Sequence, residues 1–297
     1  MNAVLKGYFR LARPANLPTA AADIFAGMAL AGMFSADTLP SHLLFPGSCL
    51  VLASILLYAG GVVLNDVFDH RLDAVERPER PIPSGLVSLR SASSFGAILL
   101  ILGIGCAFLV HSISGFIALA LAFSIVLYDG VAKKHAFLGP LNMGFCRSLN
   151  LVLGMSLLGN IPDLYWLAGI PLIYIFAITL ISRGEVHGNN KKHLLWAATL
   201  YGIVVLGVVG GIFLVSGKVY PVVLFLVMLA VLVYRPLVAA YRENTPTNIK
   251  KAVISGVLSL IVLDAAFAVG FAPWWYGLLI LLLWPLSVGL SKLFAVT

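Results

Sequence analysis

One short segment of the chain carries oxygen-bearing side chains at a spacing that suits metal binding. It reads LNDVFDHRLDAVERPERPIPSG, and five of the chain's twelve acidic residues fall between positions 66 and 79. If the segment is helical, Asn65, Asp69 and Asp73 recur every four residues, and Asp66 joins them on one broad face. Carboxylates on one face repel each other unless a cation lies between them. Hard oxygen ligands at this spacing suit Mg²⁺, which binds through a few carboxylates together with phosphate oxygens.

Prolines and arginines follow these acids. Three prolines within six residues of ERPERPIPSG prevent a helix and stiffen the backbone. A stiff loop would hold Arg77 and Arg80 near the acids, and a planar guanidinium donates two hydrogen bonds to a phosphate group. The alternative is a solvated acidic loop balanced by Arg71, Arg77 and Arg80. A solvated loop needs no acids in helical register, so we favour the metal–phosphate interpretation.

Composition indicates which kind of protein must position these residues. Of 297 residues, 61% are hydrophobic and 10% are charged, and the mean hydropathy is +1.02. Soluble domains carry about a quarter charged residues, because water must wet their surface. An ordinary soluble enzyme, a disordered chain and a nucleic-acid binder are therefore excluded. The long continuous apolar runs argue against a barrel and predict an all-α, polytopic membrane bundle.

The apolar runs predict nine or ten membrane spans in a single domain, residues 1–297. About 20 apolar residues cross a bilayer, and the last two segments decide between the two totals. The predicted spans are 17–36, 43–66, 92–111, 113–129, 138–158, 164–182, 194–216, 219–238, 250–271 and 274–293.

The positions of the basic residues predict the orientation. With the N-terminus inside, 17 of the 19 bases fall on the inner side, and only Arg147 and Lys218 do not. The net charge of +7 is therefore mainly a topology signal. The inner loops 67–91 and 183–193 are expected to cap a site at the cytoplasmic membrane boundary. The basic stretch before residue 14 is either an interfacial amphipathic helix or a plain basic flank.

At this point the sequence resembles a known family. NDxxDxxxD at the end of the second span, followed by RPxRPIPSG, is similar to the motifs of the UbiA superfamily of intramembrane prenyltransferases. The stretches RPANLPTAAADIFAG and NMGFCRSLNLVLG resemble the family's first and fifth spans, and Tyr128 and Lys133 the end of its fourth. The resemblance implies Mg²⁺-dependent transfer of an isoprenoid from its diphosphate to an acceptor, often an aromatic one. It further implies that Asp66, Asp69 and Asp73 serve catalysis.

The sequence departs from the family at the second acidic motif. Family members carry DxxxD at the end of the sixth span, whereas this chain has SRGEVHGNNKKH. Glu185 and Asn189 take the places of the two aspartates, and His187 stands where a glutamate is common. The half-site keeps one carboxylate of two, and nearby bases make it better suited to an anion than to a full metal cluster. This variant resembles a UbiA-like branch of bacterial proteins named EboC, which favours a bacterial inner membrane.

Further polar residues lie inside the predicted spans. Arg147 and Asn150 are spaced i and i+3, and a buried arginine in lipid is usually functional. Asn16, Thr19 and Asp23 form a polar stripe on the first span, while Asp264 stands alone and is expected to be structural. The two lysines after Tyr128 fit topology alone, but the resemblance makes either of them a diphosphate contact. An aromatic face such as that of Tyr128 stabilises a cation.

Together these residues define the predicted site. The predicted metal ligands are Asn65, Asp66, Asp69, Asp73, Glu185 and Asn189, with Tyr128 beside the reacting carbon. The predicted diphosphate contacts are Asn16, Arg71, Arg77, Lys133, Lys134, Arg147, Asn150 and Arg183. The predicted partners are a prenyl diphosphate donor, a lipophilic acceptor and the lipid bilayer, with no nucleic acid. A non-catalytic protein that binds or carries prenylated lipids is the alternative, and an ion-coupled transporter would leave RPxRPIPSG without a role.

Overall fold

The computed structural model describes residues 3–34, 41–185, 188–217 and 219–293, and in these ranges it contains helices and no strands. Thirteen α-helices lie there, joined by short 3₁₀ turns at Pro14–Asn16, Ser41–Leu43, Ala132–Lys134, Ser156–Leu158 and Asp163–Ala168. The helices are α1 (Ala3–Ala12), α2 (Leu17–Leu30), α3 (Leu44–Phe68), α4 (His70–Glu76), α5 (Leu89–Phe108), α6 (Ser112–Gly130), α7 (Leu138–Met155), α8 (Gly169–Ser182), α9 (Lys191–Val215), α10 (Val219–Arg242), α11 (Pro246–Phe271), α12 (Trp274–Leu281) and α13 (Leu283–Leu293).

These helices confirm the predicted all-α membrane bundle. In the described part of the chain, nine helical segments are long and apolar enough to cross a membrane. The last of them, Trp274–Leu293, joins α12 to α13. The predicted first span corresponds to α2, which has only 14 residues and is almost entirely buried. The prediction of nine or ten spans is thus confirmed, with nine of full length and α2 as a short, enclosed tenth segment.

A contact between two glycines fixes α2 against α7. A Cβ atom on Gly27 would lie 2.4 Å from the carbonyl oxygen of Leu151, and one on Gly154 would lie 2.6 Å from that of Ile24. Small residues at a helix crossing let two backbones approach closely in a membrane. The close approach brings the polar stripe of α2 alongside the polar residues of α7, which is the pairing that the site requires.

Helix α11 runs through the middle of the bundle, and the outer helices face lipid. Most of the side chains of α11 from Ser259 to Gly270 are buried. By contrast, α9 and α10 expose large apolar side chains such as Leu206, Phe213 and Leu224. Large exposed apolar surfaces on helices long enough to cross a membrane face lipid, so the chain is an integral membrane protein.

Helix α1 lies against the bundle rather than within it. It exposes Leu5 and Phe9 and buries Leu11, while Tyr8 packs edge-on against Phe95 of α5 with ring centres 5.1 Å apart. This distribution is typical of an interfacial helix. After α1 the backbone of Arg13 adopts a left-handed conformation, with φ of 46°. That turn redirects the chain into the 3₁₀ turn before α2.

The crossing of α2 and α7 makes a testable prediction. Gly154→Ala should lower the melting temperature in detergent, because its Cβ meets backbone and overpacking costs about 1–3 kcal/mol. Gly105→Ala on α5 is the matched control, since a Cβ there meets nothing within 4 Å. Thermal unfolding of both variants provides the measurement. If both variants have the same melting temperature, the close contact between α2 and α7 does not contribute to stability.

Candidate active site

A cavity of about 510 Å³ lies between α2, α3, α6, α7, α8 and α11. Its wall carries charged and polar side chains as well as apolar ones. The polar wall residues include Arg13, Asn16, Thr19, Asn65, Asp69, Arg77, Arg80, Tyr128, Lys133, Arg147, Asn150 and Glu185. The apolar wall residues are Leu121, Ile125, Met143, Ile175, Ile178, Val253, Val257 and Leu260, with Cys146 beside them. A cavity of this composition accommodates a molecule with a charged head and an apolar tail.

The first acidic motif has the helical register that its spacing predicts. The amide of Asp69 donates to the Asn65 carbonyl at 3.0 Å, and the amide of Asp73 donates to the Asp69 carbonyl at 2.8 Å. The same pattern continues from Arg77 to the Asp73 carbonyl at 2.8 Å. These i to i−4 bonds carry the register from α3 into α4 across Asp69. The motif's polar side chains therefore turn toward one side.

Two carboxylates of this motif are held by arginines. Asp66 and Asp73 are 5% and 2% exposed. One nitrogen of Arg80 lies 3.1 Å from Asp66 and 2.7 Å from Asp73, so it bridges the two. Asp66 also pairs with Arg13 at 2.6 Å. Asp73 has a second, longer contact with Arg77 at 3.9 Å. The proline-rich loop thus does place Arg77 and Arg80 at the acids, as its stiffness predicted.

The remaining polar residues of the motif face the main cavity. Asp69 accepts a hydrogen bond from the Lys133 ammonium at 2.6 Å. The Asn65 amide donates to Asp129 at 2.6 Å, and Asp129 lies 3.8 Å from the same ammonium. Tyr128 precedes Asp129 on α6 and lines the cavity. Four side chains from α3, its junction with α4, α6 and the following turn are thereby joined, and we call this part of the cavity its charged end.

The second motif contributes Glu185 but not Asn189. Glu185 lines the cavity, and burial raises the pKa of its carboxyl above the usual range, against the attraction of Lys250 and Arg77. Asn189 is exposed, and its backbone lies in the left-handed region with φ of 55°. The buried amide is that of Asn190, which bonds to the Ile181 carbonyl at 2.9 Å. The structure therefore does not bring Asn189 to the cavity. His187 lies outside the described residues.

The structure does not bring three predicted diphosphate contacts to the cavity. Arg71 is exposed on α4, because it is two residues from Asp69 and so points to another side of the helix. Lys134 is exposed in the 3₁₀ turn, where only its neighbour Lys133 turns inward. Arg183 donates to the carbonyl of Ala136 in the loop before α7. None of these three side chains is among the described residues that line the cavity.

Arg147 and Asn150 lie on the cavity wall, but their closest partners are within the bundle. Arg147 is 7% exposed and pairs with Asp23 at 2.7 Å. It also donates to the hydroxyl of Thr19 at 3.4 Å and to the Thr19 carbonyl. The Asn150 amide donates to Asp23 at 2.7 Å. Asp264 of α11 is buried as well, at 1% exposure.

Sequence reasoning missed the roles of Arg13 and Asp129. The sequence places Arg13 among the inner-side bases and in the basic stretch before the first span, yet its side chain reaches an acid 53 positions away. No local pattern indicates that contact. A signal did exist for Asp129, which lies four residues before Lys133 and so faces it across one helical turn.

The donor set on the cavity wall fits Mg²⁺. Among the residues that the structure describes, no group of three or more acidic, histidine or cysteine side chains is close enough to form a metal site by itself. Asn65, Asp69 and Glu185 nevertheless offer oxygen atoms to the same cavity. Mg²⁺ is commonly held by only one or two carboxylates, with substrate phosphates supplying further ligands. These three residues are thus the ones that would hold it.

Comparison with known proteins agrees with this geometry. A model of the UbiA prenyltransferase family matches residues 25–253. The digeranylgeranylglyceryl phosphate synthase of Saccharolobus solfataricus is 32% identical over 67% of this chain and 70% of its own length. That of Methanococcoides burtonii is 36% identical over 52% of this chain. The match covers 56% of the length of that relative.

Solved structures share the fold. A digeranylgeranylglyceryl phosphate synthase structure has a TM-score of 0.63, with 22% identity over 90% of this chain and 98% of the other. A UbiA homologue from Archaeoglobus fulgidus bound to GPP and Mg²⁺ has a TM-score of 0.66, with 13% identity over 88% of this chain and 99% of the other. At these identities the likeness shows the arrangement of helices alone.

The bridge formed by Arg80 makes a testable prediction. Arg80→Gln should destabilise the protein by roughly 3 kcal/mol, because it removes the shared partner of two buried carboxylates. Arg71→Gln is the matched control, since Arg71 is exposed on the neighbouring helix. The melting temperatures in detergent provide the measurement. Adding Asp73→Asn to Arg80→Gln should restore part of the loss, and no restoration would contradict the assigned ion pair.

Proposed function

Because the chain belongs to the UbiA prenyltransferase family, we propose that it transfers an isoprenoid chain from a prenyl diphosphate to a lipophilic acceptor within the membrane, with Mg²⁺ as cofactor. The observation that carries the proposal is that one cavity joins a cluster of charged side chains to apolar side chains of α6, α8 and α11. Asn65, Asp69, Lys133 and Glu185 lie at the charged end. The shape and chemistry of a prenyl diphosphate match both parts.

The charged end supplies what a diphosphate group needs. Asn65, Asp69 and Glu185 would hold Mg²⁺, which as a Lewis acid makes the diphosphate a better leaving group. Lys133 and Arg77 lie in the same wall and would neutralise the remaining charge of the diphosphate. Asp66 and Asp73 would not bind the substrate themselves. Their ion pairs with arginines would instead hold the loop that carries Arg77.

The reaction balances without a further reagent. The bond between the allylic carbon and the diphosphate oxygen breaks, and the electron pair leaves with the diphosphate. A lone pair of the acceptor forms the new bond to that carbon, and the proton that the acceptor loses passes to the released diphosphate. Tyr128 in the cavity wall would stabilise positive charge on the carbon. The apolar wall of α8 and α11 would keep water from the carbon while it is reactive.

The acceptor that we propose is a lipid that carries a glyceryl phosphate. The resemblance by itself pointed to an acceptor that is often aromatic. The relatives from Saccharolobus and Methanococcoides are instead named as digeranylgeranylglyceryl phosphate synthases. A glyceryl hydroxyl would then supply the attacking oxygen, so the product is an ether. If the assay shows transfer to an aromatic acceptor and not to a glyceryl lipid, the proposed acceptor is wrong.

We also propose that the motif loops 67–91 and 183–193 cap the site on the cytoplasmic side and that residues 1–297 act as one domain. The distribution of basic residues supports this orientation. Assignment to a bacterial inner membrane and to the EboC branch stays a prediction from the sequence, and the relatives named above are archaeal.

Asp69 provides the direct test of catalysis. Asp69→Asn should lower prenyl transfer at least about 100-fold, because metal-assisted departure of a leaving group contributes several kcal/mol. Glu76→Gln removes one charge from the same acidic segment, but Glu76 is exposed on α4 and should leave transfer unchanged. The assay measures diphosphate release from prenyl diphosphates of several lengths, with and without acceptor. If wild type and Asp69→Asn both bind prenyl lipid and neither turns over, the protein is a non-catalytic binder.

Metal removal provides an independent test. Transfer by the purified wild-type protein should cease in a chelator and return when Mg²⁺ is restored. Ca²⁺ should restore less activity, because it takes more ligands at longer distances than Mg²⁺. Full activity in the chelator would contradict the assigned role of Asn65, Asp69 and Glu185.

A further inference from the structure

A second pocket of about 210 Å³ opens beside the charged end of the main cavity. We call it the arginine pocket, and its lining residues are Arg10, Arg13, Asp66, Arg77, Glu79, Arg80, Pro81, Glu185 and Lys250. Four of these residues also line the main cavity and so form a shared wall: Arg13, Arg77, Arg80 and Glu185. Arg10 and Lys250 line the arginine pocket alone. The pocket is thus adjacent to the proposed diphosphate site but has its own basic residues.

The charge of the arginine pocket favours an anion. Five bases and three acids line it, which leaves a net charge of +2. Asp66 is already neutralised by Arg13 and Arg80, at 2.6 and 3.1 Å. Arg77 has only a contact of 3.9 Å to Asp73, and its side chain is 45% exposed. Because Arg77 also lines the main cavity, Arg10 and Lys250 are the bases that belong to this pocket alone.

The bases of this pocket come from three separate parts of the chain. Arg10 comes from the interfacial helix α1, Arg77 from the segment after α4, and Lys250 from the first part of α11. The second acidic motif adds only Glu185. Where the family's second carboxylate would be expected, the exposed Asn189 contributes nothing. Among the residues that the structure describes, the arginine pocket therefore carries more bases than acids.

We infer that the arginine pocket binds the phosphate monoester of the acceptor lipid. This inference rests on the proposed prenyl transfer and defines its acceptor subsite. A donor diphosphate and an acceptor phosphate repel each other, and the shared wall of Arg13, Arg77 and Arg80 lies between the two cavities. A neutral acceptor would gain nothing from Arg10 and Lys250, since neither borders the cavity in which the chain is transferred.

The test separates acceptor from donor by their Michaelis constants. Arg10→Gln and Lys250→Gln should each raise the KM for geranylgeranylglyceryl phosphate about tenfold, the effect of losing one charge-assisted hydrogen bond. The KM for geranylgeranyl diphosphate should not change. Neither variant should alter turnover of geranylgeranylglycerol, the same acceptor without its phosphate. Both residues are exposed, so the variants should fold.

Each variant has a matched control on its own helix. Lys6→Gln lies one turn before Arg10 on α1, and Lys251→Gln adjoins Lys250 but lines a different groove on α11. Both remove one positive charge and should leave the acceptor KM unchanged. If the controls weaken the acceptor as much as the variants do, a general surface charge accounts for the effect and the pocket assignment is wrong.

Two further outcomes would overturn the inference. If Arg10→Gln and Lys250→Gln raise the KM of the donor instead, the pocket belongs to the diphosphate. If both acceptors respond equally, the phosphate is not what the pocket recognises. Binding of geranylgeranylglyceryl phosphate to detergent-solubilised protein, measured without donor or Mg²⁺, separates this inference from the proposed function. If the two variants lose that binding, the phosphate site is supported even where no transfer is detected. If their binding is unchanged, the phosphate site is refuted even where transfer is detected.

Discussion

Carboxylates buried at the edge of a membrane bundle must be matched by positive charge, and the arrangement of this site depends on that constraint. Arg80 meets it for two acids at once, at 3.1 and 2.7 Å. Arg13 and Lys133 meet it for Asp66 and Asp69 at 2.6 Å. These contacts join the segment between α1 and α2, the end of α3 and start of α4, the proline-rich loop and the turn after α6. The ion pairs thus hold together the elements that surround the charged end of the cavity.

The same constraint acts deeper in the bundle. Asp23, Asp264 and Arg147 lie on α2, α11 and α7, and each is at most 7% exposed. Arg147 pairs with the Asp23 carboxylate at 2.7 Å, and the Asn150 amide donates to the same carboxylate at 2.7 Å. The glycine contact of α2 with α7 supplies the close approach that this ion pair requires.

The sequence predicts what depends on neighbouring residues and fails where distant segments decide. Apolar runs predicted the helices because each helix satisfies its own backbone inside a membrane. The register of Asn65, Asp69 and Asp73 was predictable because it follows from the helical repeat alone. No such rule links Arg13 to an acid on another helix. The loop of the second motif is similar, since its left-handed turn at Asn189 buries Asn190 instead. A motif pattern cannot indicate which of two adjacent asparagines turns inward.

The two acidic motifs therefore contribute unequally to the charge of the site. The first keeps its carboxylates, but arginines hold two of them, which leaves Asp69 as its carboxylate on the wall of the main cavity as described. The second motif supplies Glu185, and Arg77 and Lys250 attract that carboxyl. In the proposed function these bases would supply part of the positive charge that a metal ion, recruited by a second carboxylate, would otherwise bring. Bases are part of the chain, whereas a metal ion must be bound from solution, so the site would attract anions before either substrate arrives.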